Sequence, residues 1–565
     1  MSRRGLGGRR RDLRDWTADY VIVGAGSAGS ALAARLSEDP DVSVLLLEAG
    51  PADRALELHV PAAFSKLFRG RYDWNYDTVP QPALEGRTIY WPRGKTLGGS
   101  SSLNAMMWVR GFAADYDAWA AVAGESWSWT ALAPYFLRVE DTEDAADPSL
   151  GRGGPQAVSR QRDPRPHTAA FLNAARELGH PVTEANLPHG QGFSETMVSQ
   201  HRGARASTAD AYLRPALGRP ELRRRGRRGR GSLRVVTDAL VRRVTFSTDP
   251  GELPRATGVY VDIAGITRHA RARREVILAG GAINTPQLLM LSGIGPAGHL
   301  ASHGIEVLVD APDVGENLQD HLVAGLAPAA SDGTLYGAEK PAELARYLTR
   351  RRGMLTSNVA EAYGFVRTSV ADETGAAEGL PDIEIIFAAA PYVGEGLVPL
   401  PAEGVTVGAI LLQPRSRGTI RLASADPTDA AVIDPAYLSD PEGVDAATML
   451  AGLAECERLI ATDALGAVTT GGWVQPEGGE TMTPTERAEA SLRRYSHTLY
   501  HPVGTARMGD DETSVVDPEL RVRGVQGLRV ADASIMPTVI RGHTNAPAIV
   551  IGERAADLIR GARQA

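Results

Sequence analysis

The sequence of 565 residues contains a single cysteine, Cys456. A lone cysteine cannot build an intrachain disulfide framework or a thiolate metal cluster, so neither kind of site is expected. Long apolar runs are also missing, because no stretch approaches the roughly 18 uninterrupted residues of a membrane-spanning helix. We therefore predict a chain without a metal site and without an integral membrane segment, located in the reducing cytoplasm.

The sequence also lacks an excess of positive charge, since its formal net charge is −8 at pH 7. Nucleic-acid binding depends on neutralised phosphates, so a nucleic-acid partner is not predicted. The run at 223–230 (RRRGRRGR) is a local exception, but glycines interrupt it, and a solvated loop explains it better than an anionic partner does. Residues 1–16 are basic without an apolar segment, which predicts a disordered extension and not an export signal.

What the sequence does contain, from its first apolar run, is a dinucleotide-binding fingerprint. The run DYVIV leads into Gly24, Gly26 and Gly29, and Glu48 closes the next apolar run, 19 residues after Gly29. In such a motif the first glycine permits a tight turn, the second admits a pyrophosphate, and the third lets helix pack on strand. The phosphates would lie at the helix N-terminus, and Glu48 would accept hydrogen bonds from a ribose diol. A carboxylate repels a 2′-phosphate, so NADP is disfavoured.

Strand-like segments form two groups that are interleaved along the chain. Short apolar runs beside glycine-rich turns suit the sheet of an α/β nucleotide domain, and the intervening runs suit a second sheet with helices on one face, which would form a cap. The first group lies near 19–48, 233–246, 274–279 and 528–531, and the second group lies at 361–366, 383–387 and 405–412.

Four later segments combine glycines, small hydroxyls, amides and histidines. The first offers unobstructed backbone N–H groups to a flat or anionic ligand. The second ends a strand in Gly-Gly and begins a helix at Thr-Pro. The third and fourth carry His501 and His543. The segments are 91–104 (WPRGKTLGGSSSLN), 279–295 (AGGAINTPQLLMLSGIG), 500–509 (YHPVGTARMG) and 529–547 (RVADASIMPTVIRGHTNAP).

Together the five motifs, in this order, resemble those of the glucose-methanol-choline (GMC) family of flavin oxidoreductases. The likeness extends from about Tyr20 to about Ile559. It implies FAD as the cofactor, oxidation of an alcohol, and an α/β (α+β overall) fold: a Rossmann-like FAD-binding domain with an interleaved substrate-binding domain on a mixed or antiparallel sheet. The FAD-binding domain would comprise 17–149, 206–311 and 491–565, and the substrate domain 150–205 and 312–490.

The resemblance also implies a set of cofactor-binding residues. They would contact, from one end of FAD to the other, the ADP portion, the adenine, the pyrophosphate and ribityl chain, and the flavin ring. In chain order the set is Gly24, Gly26, Gly29, Glu48, Ala49, Trp91, Gly98, Ser100, Asn104, Val241, Asp532, Ala533, Asn545 and Pro547. Relatives with covalently bound flavin carry a histidine just before the loop asparagine, and Leu103 stands there, so noncovalent FAD is expected.

His501 matches the catalytic histidine of the family, and His543 matches its active-site partner. When an alcohol is oxidised, a hydride leaves carbon for flavin N5 and the hydroxyl proton must go elsewhere. A neutral imidazole with an ordinary pKa near ~6.5 suits that proton, so His501 is predicted to be the general base. His543 would hold the hydroxyl oxygen and align the carbon. His497, taken as one helical turn before His501, is predicted to be structural.

The substrate and the electron acceptor stay open. A His/His pair is similar to that of aryl-alcohol and glucose oxidases and weakens a choline assignment, and no aromatic or acidic cage for a quaternary ammonium can be assigned. We expect oxidation of a primary alcohol to an aldehyde, with oxygen or another carrier as acceptor, in a possible homo-oligomer. A hydroxynitrile lyase on the same scaffold is the alternative, whereas a light-driven decarboxylase would need a reactive cysteine site, which Cys456 in a cap helix does not offer. The segment 59–74 is expected to cover the active site.

Overall fold

A computed structural model describes residues 16–144, 147–187, 192–218, 232–375, 378–399 and 401–562 of the chain. The arginine-rich run at 223–230 lies outside the described residues. So does the predicted N-terminal extension except for Trp16, which begins the first strand instead of ending a disordered segment.

The first sheet has seven strands and is mostly parallel. Its centre is a run of buried residues from Tyr20 to Val23, flanked by Val44 to Leu47, and strands buried on both faces are typical of a parallel sheet covered by helices. Two antiparallel strands extend one side. In spatial order the strands are Ser232–Val236, Ser43–Leu47, Trp16–Val23, Ile266–Leu278, Arg255–Ile263 and Ala239–Ser247, with Leu528–Val530 also pairing with Ile266–Leu278.

The N-terminal helix of this sheet, Ser27–Leu36, packs tightly against the last helix, Asn545–Gly561. Gly552 makes the close approach possible, because a Cβ there would lie 2.3 Å from the carbonyl oxygen of Ala28. The helix interface brings the 529–547 motif beside the glycine fingerprint, although more than 500 residues separate them along the chain.

The second sheet is entirely antiparallel and covers the first like a cap. In spatial order its strands are Thr469–Gln475, Leu322–Ala330, Thr406–Leu411, Ile383–Ala388, Ala362–Val366 and Gly192–Glu195. The helix Val444–Ile460, which contains the buried Cys456, lies against it, and Gly452 allows close contact with Ala409.

One strand of this cap sheet departs from the domain boundaries proposed from the sequence. His497–Thr498 pairs with Leu322 and Val323, although 491–565 was assigned to the FAD-binding domain. The two-residue strand therefore ties the segment that carries His501 to the cap. The boundaries otherwise stay a proposal.

The described residues also form helices and short strands around the two sheets, and no described helix is long and apolar enough to span a bilayer. The other helices are Ala113–Ala123, Trp129–Val139, Pro166–Glu177, Arg214–Gly218, Gly281–Leu291, Ala297–Ser302, Pro341–Arg350, Ser369–Glu373, Asp463–Gly466 and Pro484–Ala490. The short strands are Tyr76–Asp77, Tyr90–Trp91, Glu140–Thr142, Gln156–Val158, Gln200–His201, Ala204–Arg205, Ile294–Gly295, Val309–Asp310, Thr419–Arg421 and Val432–Asp434.

Candidate active site

One cavity between the two sheets collects most of the predicted site residues. Twelve of the sixteen line its wall. They are Gly24, Gly26, Glu48, Ala49, Ser100, Asn104, Val241, Asp532, Ala533, Asn545, His501 and His543.

The other four predicted residues, Gly29, Trp91, Gly98 and Pro547, do not line this wall and lie behind it. A Cβ on Gly29 would lie 2.0 Å from the carbonyl oxygen of Gly24, so this glycine permits helix-on-turn packing. The backbone N–H of Gly98 donates to the carbonyl of Ala25. Gly29 and Gly98 thus have a structural role in shaping the wall, and cofactor contact by the four residues stays a prediction.

The glycine fingerprint forms a turn with room for a ligand. Gly24 has φ +101°, a left-handed conformation that favours glycine, and a Cβ there would collide with the carbonyl of Ala279 at 2.3 Å. A Cβ on Gly26, in contrast, would meet no protein atom closer than 4.0 Å and would stand in the cavity. The helix that begins at Ser27 has no side-chain cap among the described residues, so its first N–H groups are left for an anion.

Two carboxylates define the nucleotide part of the cavity. Glu48 accepts hydrogen bonds from the backbone N–H groups of Ala25 (2.9 Å) and Gly50 (2.8 Å), and burial raises its pKa to about 7. Asp532 accepts from Ser534 and from the N–H of Gly281 (2.9 Å), and burial raises its pKa too. Glu48 keeps lone pairs for ligand hydroxyls, whereas Asp532 also accepts from the hydroxyls of Thr285 and Ser534, so each of its oxygens already holds two hydrogen bonds.

The loop asparagine is oriented by a buried arginine that sequence reasoning missed. The Oδ1 atom of Asn104 accepts from the N–H of Met106 (3.0 Å) and from Nη1 of Arg205 (2.7 Å). No described residue hydrogen-bonds its Nδ2, so this amide group is the part of Asn104 that can face the cavity. Burial lowers the pKa of Arg205 to about 9.

Three histidines meet at the opposite part of the cavity. The rings of His501 and His543 are nearly perpendicular, with centroids 4.8 Å apart. The ring of His321 lies behind His501, and the two Nδ1 atoms are 2.9 Å apart. The backbone N–H of His501 donates to the buried carboxylate of Asp320 at 2.7 Å. The structure thus brings the two predicted histidines together and adds a third.

The hydrogen bonds of His321 fix which nitrogen of His501 carries the proton. His321 Nε2 lies 3.1 Å from the carbonyl oxygen of Leu412, which can only accept, so Nε2 is the donor. In a neutral ring the Nδ1 of His321 is then an acceptor, and the Nδ1 of His501 must donate to it. The Nε2 of His501 is therefore left with a lone pair.

Burial controls the charge of this cluster. Desolvation, and then the neighbouring His543, His321 and Arg93, hold the pKa of His501 well below its usual value. Burial, together with His543, lowers the pKa of His321 to about 3. Both rings are therefore neutral at physiological pH, as the hydrogen-bond directions require.

His543 has a partner of its own in the cap sheet. Its Nε2 lies 3.0 Å from Oε1 of Glu384, a fully buried residue whose Oε2 has no described hydrogen-bond partner. Little in the sequence indicates a role for Glu384 or His321. Asp320 and His321 directly precede the apolar strand Leu322–Ala330, and adjacent ionisable residues before a buried strand are the one local signal.

An aromatic wall closes the end of the cavity near the histidines. We use this name for the five cavity-lining rings of Phe64, Phe68, Tyr392, His497 and Tyr500. Their neighbouring centroids lie between 5.7 and 6.5 Å apart.

The aromatic wall bears on two sequence predictions. The segment 59–74 does supply part of the wall through Phe64 and Phe68, whereas Leu67 packs away from it with Leu58, Tyr72 and Leu103. His497 does not lie on a helix, as its spacing from His501 suggested; it lies on a strand and borders the cavity.

These features fit FAD. The fingerprint turn leaves space at Gly26 and presents an uncapped helix N-terminus to a pyrophosphate. The carboxylate of Glu48 suits hydroxyl groups, and Val241 and Leu240 offer an apolar wall for a base. The cavity then continues to the histidines, as a long cofactor with its reactive ring at the far end requires.

The comparisons with known proteins agree with this site. Sequence models of the GMC oxidoreductase family match residues 18–323 and 414–552. An uncharacterised GMC-type oxidoreductase of Mycobacterium tuberculosis is 54% identical over 554 residues, covering 97% of this chain and 100% of the relative. Alcohol dehydrogenase (acceptor) of Pseudomonas putida is 40% identical, covering 96% and 95% of the two chains.

Two further comparisons concern a choline enzyme and a solved structure. Mitochondrial choline dehydrogenase of Homo sapiens is 40% identical, covering 99% of this chain and 92% of the relative. The crystal structure of pyridoxine 4-oxidase from Mesorbium loti is 32% identical, covers 96% of this chain and 99% of its own, and superposes with a TM-score of 0.83. The predicted family, fold class and FAD cofactor are thereby confirmed. The chain belongs to the GMC oxidoreductase family and is an FAD-dependent oxidoreductase that acts on CH–OH groups of donors.

Proposed function

We propose that the chain oxidises a primary, uncharged alcohol to an aldehyde, with His501 as the general base. The observation that carries this proposal is the hydrogen-bond chain from Leu412 through His321 to His501, which leaves a lone pair on Nε2 of His501. A base needs that lone pair in the ground state, and the lowered pKa keeps it there.

The remaining cavity residues would hold the cofactor and orient the substrate. Bound FAD supplies a ring that accepts the hydride. Gly26, Glu48, Asp532 and the start of the helix at Ser27 would hold its nucleotide part, noncovalently because Leu103 offers no nucleophile beside the loop. The cap sheet and the aromatic wall keep bulk water from the histidines, which strengthens hydrogen bonds inside the cavity.

His543 would position the alcohol beside His501, to which we assign the proton because His321 fixes the tautomer of His501. Because Glu384 engages Nε2, only Nδ1 of His543 can face a substrate. The centroid distance of 4.8 Å places both rings around one small volume, in which an alcohol oxygen could contact both.

The charge of the cavity favours an uncharged alcohol over choline. The described residues that line it include two carboxylates, Glu48 and Asp532, and both belong to the nucleotide part. Glu395 lies behind Tyr392, but burial raises its pKa to about 8, so at pH 7 it is mostly protonated. The guanidinium of Arg93 lines the cavity and opposes a cation. The alcohol dehydrogenase relative supports this class of substrate, and the choline dehydrogenase relative makes choline the competitor to test.

The proposal is tested by anaerobic addition of alcohols to the purified yellow holoenzyme. Loss of the flavin absorbance with primary alcohols is expected, more slowly with secondary ones, and His501→Ala should slow it on the order of 10²- to 10⁴-fold with flavin still bound. Readmission of air then shows whether oxygen or another carrier is the acceptor. Persistent yellow colour with every alcohol, together with cleavage of a cyanohydrin, would identify a hydroxynitrile lyase instead.

A further inference from the structure

The strand His497–Thr498 places the imidazole ring of His497 on the side of the chain that faces the cavity. Successive side chains on a strand point to opposite faces. Thr498 points away, because its Oγ1 donates to Asp320 at 2.6 Å behind the cavity wall. His497, paired with Val323 in the cap sheet, therefore faces the opposite side, where it borders the cavity between Tyr392 and Tyr500.

The hydrogen bonds of His497 leave it with one acceptor. Its Nδ1 lies 2.8 Å from the carbonyl oxygen of Thr498, so Nδ1 carries the proton. Burial lowers the pKa of His497 to about 4, so the ring is neutral and Nε2 holds a lone pair. No described residue hydrogen-bonds that nitrogen.

The other polar groups of the aromatic wall are already engaged. Tyr392 Oη lies 3.1 Å from the carbonyl oxygen of Glu395, to which it donates, and 3.0 Å from Tyr500 Oη, from which it accepts. Phe64 and Phe68 contribute ring carbon only. Tyr500 Oη has given its proton to this bond but can still accept, so the described part of this wall offers a substrate two acceptors, Nε2 of His497 and the phenol oxygen of Tyr500, of which the imidazole nitrogen is the stronger.

We propose that His497 is a specificity residue, which accepts a hydrogen bond from a hydroxyl or N–H group on the ring of an aromatic alcohol that packs against Phe68, Tyr392 and Tyr500. This proposal rests on the proposed function. The chemical class is a neutral aromatic alcohol that carries a donor group away from the carbon to be oxidised. The wall gives the ring apolar and edge-to-face contacts, and Nε2 sets the preference for the donor.

The test compares alcohols that differ in donating ability but little in electronic effect. We would measure kcat/KM of the holoenzyme for 4-hydroxybenzyl against 4-methoxybenzyl alcohol and for 3-hydroxybenzyl against 3-methoxybenzyl alcohol. A hydroxyl preference of roughly tenfold is expected in at least one pair, since an unpaired buried acceptor and a lost hydrogen bond together have about that effect.

Variants separate hydrogen bonding from size. His497→Leu should bring the ratio of that pair to about one, because the acceptor is gone, whereas a preference caused by the bulk of the methyl group would survive. His497→Gln keeps an acceptor oxygen and should restore part of the ratio. His201→Leu, at an exposed position, is the matched control and should leave it unchanged.

Each way in which the proposal can fail gives a different experimental result. If all four alcohols bleach the flavin and the wild-type ratios are near one, His497 is not a specificity residue, and the proposed function still stands. If choline is the better substrate, the aromatic wall binds a cation, and the inference is overturned. If no alcohol bleaches the flavin, the proposed function itself is wrong. If His497→Leu loses its flavin, we would instead measure the dissociation constants of 4-hydroxy- and 4-methoxybenzaldehyde from the wild-type enzyme by flavin absorbance. Tighter binding of the 4-hydroxy compound would support the hydrogen bond to His497, and equal binding would overturn it.

Discussion

Replacing His321 by leucine tests whether this residue fixes the tautomer of His501. Leucine has similar bulk but no acceptor, so Nδ1–H of His501 would lose its partner at 2.9 Å. An unpaired buried donor costs about 1–3 kcal/mol, which favours the other tautomer, with the proton on Nε2. Because that tautomer cannot accept the alcohol proton, the rate of flavin reduction should fall roughly 5- to 100-fold, with KM little changed.

The assay is anaerobic stopped-flow reduction of the flavin across a range of pH. His321→Asn supplies both an acceptor for His501 and a donor for Leu412 and should recover most of the rate. Burial lowers the pKa of His321 to about 3, so this ring is neutral across the assay range, and a slower rate in His321→Leu reports a lost acceptor and not a lost charge. Wild-type rates in His321→Leu at normal flavin content and melting temperature would refute the tautomer argument.

Three other predictions follow from the same geometry. Gly26→Ala should lose FAD on gel filtration, because its Cβ would stand in the cavity, whereas Gly443→Ala, in open space at φ +70°, should keep it. Glu384→Gln should raise KM several-fold and change kcat less, since His543 loses its carboxylate partner at 3.0 Å, and an unchanged KM would contradict the positioning role. Because burial lowers the folded pKa of His321 to about 3 against 6.5 unfolded, its contribution to stability is complete above pH 6.5 and is lost towards pH 3, on the order of 1 kcal/mol by pH 5.5 in urea titrations.

Local chemistry explains which parts of the site the sequence could predict. The turn at Gly24 needs a positive φ, the helix after it begins without a side-chain cap, and Glu48 directly follows a strand. Each of these sequence signals lies within a few residues of the local structure that it predicts. The resemblance to the family then supplied His501 and His543, which no local rule distinguishes from other histidines.

The missed residues depend on pairing between distant strands. His321 reaches His501 across 180 residues because Leu322 and Val323 pair with Thr498 and His497. Glu384 reaches His543 across 159 residues from the middle of the cap sheet. The placement of His497 on a helix was wrong for the same reason, since a spacing of four residues suggested one helical turn, whereas it lies on a strand, where alternation decides which side a side chain occupies.

The electrostatics of the cavity join the base to the choice of substrate. Arg93 hydrogen-bonds the carbonyl oxygens of Pro92 (2.6 Å) and Tyr500 (2.7 Å), which hold its charge near the histidines, where the carboxylates of Asp320 and Asp73 offset part of its positive potential. That positive potential helps to keep His501 unprotonated, and it also disfavours a cationic substrate. The same potential stabilises negative charge on the alcohol oxygen as its proton moves to His501. A neutral base, an uncharged substrate and a developing oxyanion are thus favoured by one arrangement of charges, whereas a quaternary ammonium substrate would have to work against it.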